Sequence, residues 1–130
     1  FGANGVKLKK LKLQAHLKDI NQEAVRLARK EINSYGEKQS VEAFVAGSLG
    51  PTGEILEPFG NLTNQEAYQG YQEQIRVLAS AGVDLIVLET FYNLDEIKIA
   101  LKALKENSNL QIFTSMSWNP ISLSQSIKVI

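Results

Sequence analysis

Three short segments of this sequence carry polar side chains and lie where a predicted strand ends. They are Gly47–Gly53, Glu89–Thr90 and Ser115–Trp118. In parallel α/β folds, ligands and reacting groups gather at the carboxyl ends of the strands. These segments are therefore the candidates for a functional site. The side chains and backbone groups of each segment indicate which kind of ligand it could bind.

Glu89 is the sharpest candidate because it directly follows the apolar run Leu85–Leu88. A carboxylate in that setting is costly unless it meets a cation or several hydrogen-bond donors. The residues alone allow two functional roles, an anchor for a substrate ammonium or a general base. They equally allow two structural roles, an ion pair or a cap on the next helix.

The glycine-rich segment Gly47–Gly53 has the spacing G-x-x-G-x-x-G. It is not the dinucleotide fingerprint and lacks the lysine of a P-loop, so phosphate binding is not indicated. Its glycines would let backbone amides approach a small ligand, but a turn-rich connector explains them as well. Trp118 is either a wall of the site or half-buried packing. His16 lies in a polar stretch, so no Ser/His/Asp triad is available.

A repeating strand–helix pattern positions these segments. Apolar runs predict strands at 43–48, 84–89 and 111–116. The first is of the kind buried on both faces, and the second is typical of a central parallel strand. Apolar residues at three- and four-residue steps predict the intervening helices. The first helix spans Leu17–Tyr35, ends before Gly36 and has an apolar stripe at Ile20, Ala24, Leu27, Ala28 and Ile32.

Helix caps mark where the later helices begin. Thr63 and Glu66 have capping-box spacing, Asn93 and Glu96 repeat it, and Ser122 opens one more. Gly82 suits the left-handed position after a helix, and Asp84 is expected to serve the turn before its strand. The alternation predicts an α/β fold with a parallel sheet. An open doubly wound sheet and a slice of a (β/α)8 barrel, which needs about 250 residues in full, both fit.

The composition and charge pattern indicate which kinds of partner to expect. Among the 130 residues, 44% are hydrophobic and 22% charged, with 14 Lys and Arg against 14 Asp and Glu, which is typical of a globular domain. The basic cluster Lys7, Lys9, Lys10 and Lys12 has no interleaved aromatic residue and predicts a solvated helix face, so we expect no nucleic-acid partner. No apolar run approaches the roughly 20 residues of a membrane helix. The absence of cysteine and of a leader favours the cytoplasm.

Several separated motifs resemble the homocysteine S-methyltransferase family, in order and in spacing, up to about Ser117. They are Phe1–Asn4, Asn21–Arg29, Gly47–Gly53 with Leu56-Glu57-Pro58 and Gly60, and Ala81–Thr90. The G-P-T-G form is most similar to the homocysteine-binding module of cobalamin-dependent methionine synthase. Other barrel enzymes, such as pterin-handling ones, and a non-catalytic binding or scaffold barrel remain alternatives.

The resemblance implies a partial (β/α)8 TIM barrel, about half of one. Residues 1–130 would be a single fragment of a homocysteine-binding domain, truncated at both ends. The parent enzyme would transfer a methyl group to the homocysteine thiolate to form methionine. Zinc, methylcobalamin as donor, and cobalamin- and folate-binding modules are implied for it. The chain has no cysteine and one histidine, so its zinc ligands would lie outside, and the fragment alone is expected to be inactive.

The resemblance also implies which residues contact the substrate. Glu89 matches the family's strand-end glutamate, which holds the substrate ammonium. The loops after the first two strands, with Phe1, Asn4, Ser48 and Gly50, are expected to line the same pocket. Thr90 and Ser117, at the ends of later strands, complete the predicted set. After Ser117 the sequence departs from the family pattern, because Trp118-Asn119-Pro120 leads almost directly to the next cap.

Overall fold

The computed structural model describes residues 1–39 and 42–117. Trp118 and the predicted cap at Ser122 lie outside these ranges. The elements are α1 (Gly5–Lys10), a short 3₁₀ turn (Gln14–His16), α2 (Leu17–Gln39), β1 (Ala46–Leu49), α3 (Asn64–Ala81), β2 (Leu85–Phe91), α4 (Leu94–Asn107) and β3 (Gln111–Met116). None of the helices in these ranges is long and apolar enough to cross a membrane.

The three strands form one parallel sheet in the order β1-β2-β3. Each consecutive pair is joined through a helix, α3 and then α4, which is the predicted α/β arrangement. In the register, Ser48 lies beside Val87 and Val87 beside Phe113, so these three residues share one face. Glu89 lies on that same face, two residues beyond Val87.

The two faces of the sheet are covered unequally. Leu49, Ile86 and Leu88 are fully buried on the helix side, where α3 packs closely over β1. On the opposite face Ser48, Val87 and Glu89 are half-buried, and Phe113 is 61% exposed. The prediction of strands buried on both faces is therefore wrong for the part of the chain that the structure describes. No described element covers the second face.

The helix boundaries follow local hydrogen-bonding chemistry. Thr63 accepts a hydrogen bond from the Glu66 backbone while the Glu66 carboxylate accepts one from the Thr63 N–H, a complete capping box. Gly82 ends α3 with φ of 87°, a conformation that glycine adopts without strain. Asn93 caps α4 by accepting from two backbone N–H groups. The caps at Thr63, Gly82 and Asn93 are confirmed, but the Glu96 side chain does not complete a capping box with Asn93.

The first long helix differs from its prediction. It continues through Gly36 to Gln39, so Gly36 is not the terminal residue expected. Its buried face carries Leu17, Asn21 and Val25, whereas the predicted core residues Ile20 and Leu27 are 38% and 47% exposed. The helix has apolar residues on two faces, and periodicity does not indicate which face meets α3. The first strand also begins later, at Ala46 rather than Ala43.

Asp84 ties three elements together at the amino ends of the strands. Its carboxylate accepts from the Arg29 guanidinium of α2 at 2.6 Å and from the Val45 N–H at 2.6 Å. The Asp84 N–H in turn donates to the Val45 carbonyl at 2.8 Å. The Arg29 hydrogen bond holds the pKa of Asp84 below its usual range. The sequence predicted a role for Asp84 in its own turn, whereas the structure shows that it also binds Arg29 of α2 and the Val45 N–H.

Candidate functional site

Glu89 and Ser48 meet at the carboxyl ends of β1 and β2. The Ser48 hydroxyl donates to Glu89 Oε1 at 2.5 Å. Among the residues in the described ranges, no lysine or arginine forms a salt bridge with Glu89. The structural ion pair that the sequence allowed is therefore not seen there. The carboxylate is half-buried, and its Oε1 is oriented by the Ser48 hydroxyl.

The end of β2 is irregular where Glu89 projects. Its pairing with β3 shifts register between Leu88 and Phe91. Thr90 has φ of +67°, a left-handed conformation that is strained for a β-branched residue. Bulges of this kind re-aim side chains and are common beside binding sites. Thr90 is exposed next to Glu89, and the Ser117 N–H donates to the Phe91 carbonyl at 2.7 Å, which places Ser117 at the same edge.

Phe1 lies against the loop that follows β1. A Cβ atom on Gly50 would collide with the Phe1 ring, so only glycine allows this approach. Burial holds the pKa of the Phe1 α-amino group below its usual value, and the nearby Glu89 carboxylate opposes this shift only in part. The Lys7 ammonium lies 5.4 Å from the centre of the Phe1 ring. Phe1, Gly50, Ser48 and Glu89 therefore lie close together, and their contact with a substrate stays a prediction.

Asn4 is placed differently from the other predicted residues. It is fully buried and caps α1, because its side-chain oxygen accepts from the Lys7 N–H at 2.9 Å. Its Nδ2 has no hydrogen-bond partner among the residues that the structure describes. Asn4 thus shapes the start of α1, and its contact with a substrate stays a prediction.

Glu96 is the polar residue that sequence reasoning missed at this edge. It was expected to cap α4, but its carboxylate crosses to the loop after β1. Glu96 Oε1 accepts from the Thr52 N–H at 2.7 Å, the Thr52 hydroxyl at 2.6 Å and the Tyr71 hydroxyl at 2.9 Å. Burial, aided by Glu96, raises the pKa of Tyr71 well above its usual value, so Tyr71 is a donor at neutral pH.

The signal for this contact was present but ambiguous. Asn93 already satisfies the first N–H groups of α4, so an acidic residue three positions later is not needed for the cap. Thr52 belongs to the glycine-rich segment Gly47–Gly53 but was not among the predicted contact residues. It is only 1% exposed, and its hydroxyl is bound to Glu96.

The side chains present do not fit a zinc site. Structural and catalytic zinc requires three or four nitrogen, sulfur or oxygen ligands. The sequence has no cysteine and a single histidine. No group of three His, Cys, Asp or Glu residues within residues 1–39 and 42–117 is arranged to hold a metal ion. Any zinc chemistry would need ligands from elsewhere.

These observations define a class of protein. A parallel strand–helix array with polar groups at the carboxyl ends of its strands is the arrangement of α/β proteins that bind ligands at that edge, among them the (β/α)8 barrels. The sequence profile of the homocysteine S-methyltransferase family matches residues 1–128. The chain belongs to that family.

A solved structure agrees with this assignment. The chain is similar to the apo crystal structure of the homocysteine methyltransferase MmuM from Escherichia coli, with 25% sequence identity and a TM-score of 0.70. The match covers 81% of this chain and 39% of that one, so the chain spans about two-fifths of the relative's length. The partial-barrel prediction is confirmed, and the open doubly wound sheet is set aside.

Proposed function

We propose that this chain supplies the amino-acid-binding edge of a homocysteine S-methyltransferase barrel, a single domain in which a methyl group passes to the homocysteine thiolate and methionine forms. One observation carries the proposal. In a chain of this family, Glu89 stands half-buried at a strand end, bonded to the Ser48 hydroxyl and with no cationic side chain paired to it in the described ranges.

The electrostatics favour an ammonium as the partner of Glu89. An amino acid substrate carries its ammonium at neutral pH. A half-buried site screens the pair less than open water does. Ser48 binds Oε1, which leaves Oε2 for the incoming N–H. A charge-assisted hydrogen bond of this kind contributes about 1.5–3 kcal/mol.

Orientation is the second contribution of this edge. Holding the ammonium at one point limits where the sulfur of the same substrate can lie. Phe1 and Gly50 form the adjoining wall, while Thr90 and Ser117 border Glu89 on the other side. We assign these residues, together with Asn4, to substrate contact.

The remaining components of the reaction rest on the family resemblance. We infer that zinc is held by residues outside this chain, since the sequence has no cysteine and one histidine and no group of residues in the described ranges is arranged to hold a metal ion. Methylcobalamin as donor, and cobalamin- and folate-binding modules as partners, are carried forward as predictions, as is a cytoplasmic location.

The test is binding of homocysteine by the complete enzyme. Glu89→Gln keeps the side chain's shape and removes its charge, so we expect affinity to fall by about tenfold or more in calorimetry, with a smaller loss for Ser48→Ala. Glu31→Gln, on the exposed face of α2, is the matched control. Equal affinities for Glu89→Gln and Glu31→Gln would remove Glu89 from the site. Methionine formation from homocysteine, measured on the unmodified enzyme, tests the reaction itself.

A further inference from the structure

Glu96 is the most enclosed acidic side chain in the described chain, and its contacts are unusual. It is 2% exposed, and it forms no salt bridge with a lysine or arginine in the described ranges. All three of its donors, two from Thr52 and one from Tyr71, converge on the single oxygen Oε1. A buried carboxylate without a cation is stable only when such donors replace water.

These bonds join three separate elements at the functional edge. Glu96 belongs to the first turn of α4, only seven residues beyond Glu89. Thr52 lies in the loop after β1, four residues beyond Ser48, and Tyr71 lies on α3. Glu96 therefore connects the loop after β1, which follows Ser48, to α4, which follows the strand that carries Glu89.

The same contacts fix the wall on which Phe1 rests. The Tyr71 hydroxyl lies 3.4 Å from the Gly50 carbonyl as well as 2.9 Å from Glu96. Gly50 is the residue whose missing side chain admits the Phe1 ring. Glu96 thus holds the Thr52 end of the segment Gly50–Thr52 directly, while the Tyr71 hydroxyl, whose proton goes to Glu96, lies against its Gly50 end.

We propose that Glu96 is a positioning residue for homocysteine binding, acting through Thr52 on the loop that forms the pocket wall beside Glu89. This inference rests on the proposed function. Glu96 does not contact the substrate. Its role is to keep the Gly50–Thr52 backbone in one arrangement, so that the pocket is formed before the substrate arrives.

The chain offers a matched control in the neighbouring residue. Asp95 is also acidic and also lies in the first turn of α4, where its N–H is capped by Asn93. Its side chain is exposed and pairs with Lys98. Asp95→Asn therefore removes the same charge from the same helix end without touching the loop, which separates positioning from a general effect on α4.

The experiment compares Glu96→Gln with Asp95→Asn in the complete enzyme, well below the melting temperature. We expect homocysteine affinity to fall about tenfold in Glu96→Gln, and to stay within about twofold of the unmodified enzyme in Asp95→Asn. We expect KM to rise while kcat changes little. Amide hydrogen exchange at Thr52 should become faster in Glu96→Gln only.

Thr52 supplies a second route that does not depend on the Glu96 variant folding. Thr52→Val removes the hydroxyl at nearly constant volume and should weaken binding, whereas Thr52→Ser keeps the hydroxyl and should restore it. Normal homocysteine affinity in both Glu96→Gln and Thr52→Val would overturn this inference and leave the proposed function standing. An unmodified enzyme that does not bind homocysteine would overturn both.

Discussion

Three acidic residues show how much one side-chain type can differ by position. Glu89 ends a strand and keeps its charge available beside Ser48. Glu96 is buried, and its carboxylate accepts hydrogen bonds from Thr52 in the loop after β1. Asp84, at the opposite end of β2, accepts from Arg29 and Val45. In a (β/α)8 barrel the carboxyl ends of the strands serve chemistry and the amino ends serve stability, and these residues divide in that way.

Asp84→Asn tests the stabilising role and has a defined pH dependence. The folded pKa of Asp84 lies below its ordinary value of 3.8 because of Arg29. Its contribution is therefore fully present above the unfolded pKa and is lost as the pH falls through the folded pKa. We expect Asp84→Asn to lower the unfolding free energy at pH 7, with the deficit shrinking below about pH 4. Urea unfolding measures this, with exposed Asp19→Asn as control. A deficit that stayed constant down to pH 3 would contradict the assignment.

At the scale of elements, the long connection between β1 and α3 is an ordered structure. Leu56 and Leu62 form an isolated bridge, and the Leu62 N–H donates to the Ile55 carbonyl at 3.2 Å. A Cβ atom on Gly60 would lie 2.6 Å from the Ile55 carbonyl carbon. The backbone of this loop therefore folds back on itself at a distance that only glycine permits.

Gly60→Ala should destabilise the protein more than Gly82→Ala. The first substitution forces backbone apart and should cost about 3 kcal/mol. The second meets nothing within 4 Å but must hold φ near +87°, which costs about 1 kcal/mol. Thermal unfolding of the two variants gives the comparison. If Gly60→Ala melts at or above the temperature of Gly82→Ala, the close approach in this loop is not as the structure shows.

At the scale of the molecule, the sheet has one face that is covered by helices and one face that no described element covers. Ile86 and Leu88 are buried under the helices, while Phe113 on the other face is 61% exposed. Both edge strands, β1 and β3, lack an outer neighbour in the described chain. In a complete barrel that second face is the interior, and each edge strand is paired.

Residues 1–130 produced alone should therefore associate and should show no methyltransferase activity. Open parallel edges and an exposed apolar face favour pairing between copies, and the described part of the chain holds no group of residues that fits zinc. Size-exclusion chromatography with light scattering and a methionine-formation assay measure the two expectations. A monodisperse, cooperatively unfolding monomer would contradict the first, and methionine formation by this piece would contradict the second.

The sequence by itself determined the strand–helix alternation, the caps and the main acidic candidate. Those features depend on residues close together in the chain, as with Thr63 and Glu66 or Asn93 and the first turn of α4. The family motifs added the barrel, because several separated segments agree in order and spacing.

Only the tertiary structure decided how distant polar groups pair. Glu96 reaches Thr52 across 44 residues, and Ser48 reaches Glu89 across 41. From neighbouring residues alone, Glu96 could equally have capped α4. The apolar residues of α2 lie on two faces of the helix, and α3 covers only one of them. Such choices depend on which elements pack together, and that information is absent from the spacing of neighbouring residues.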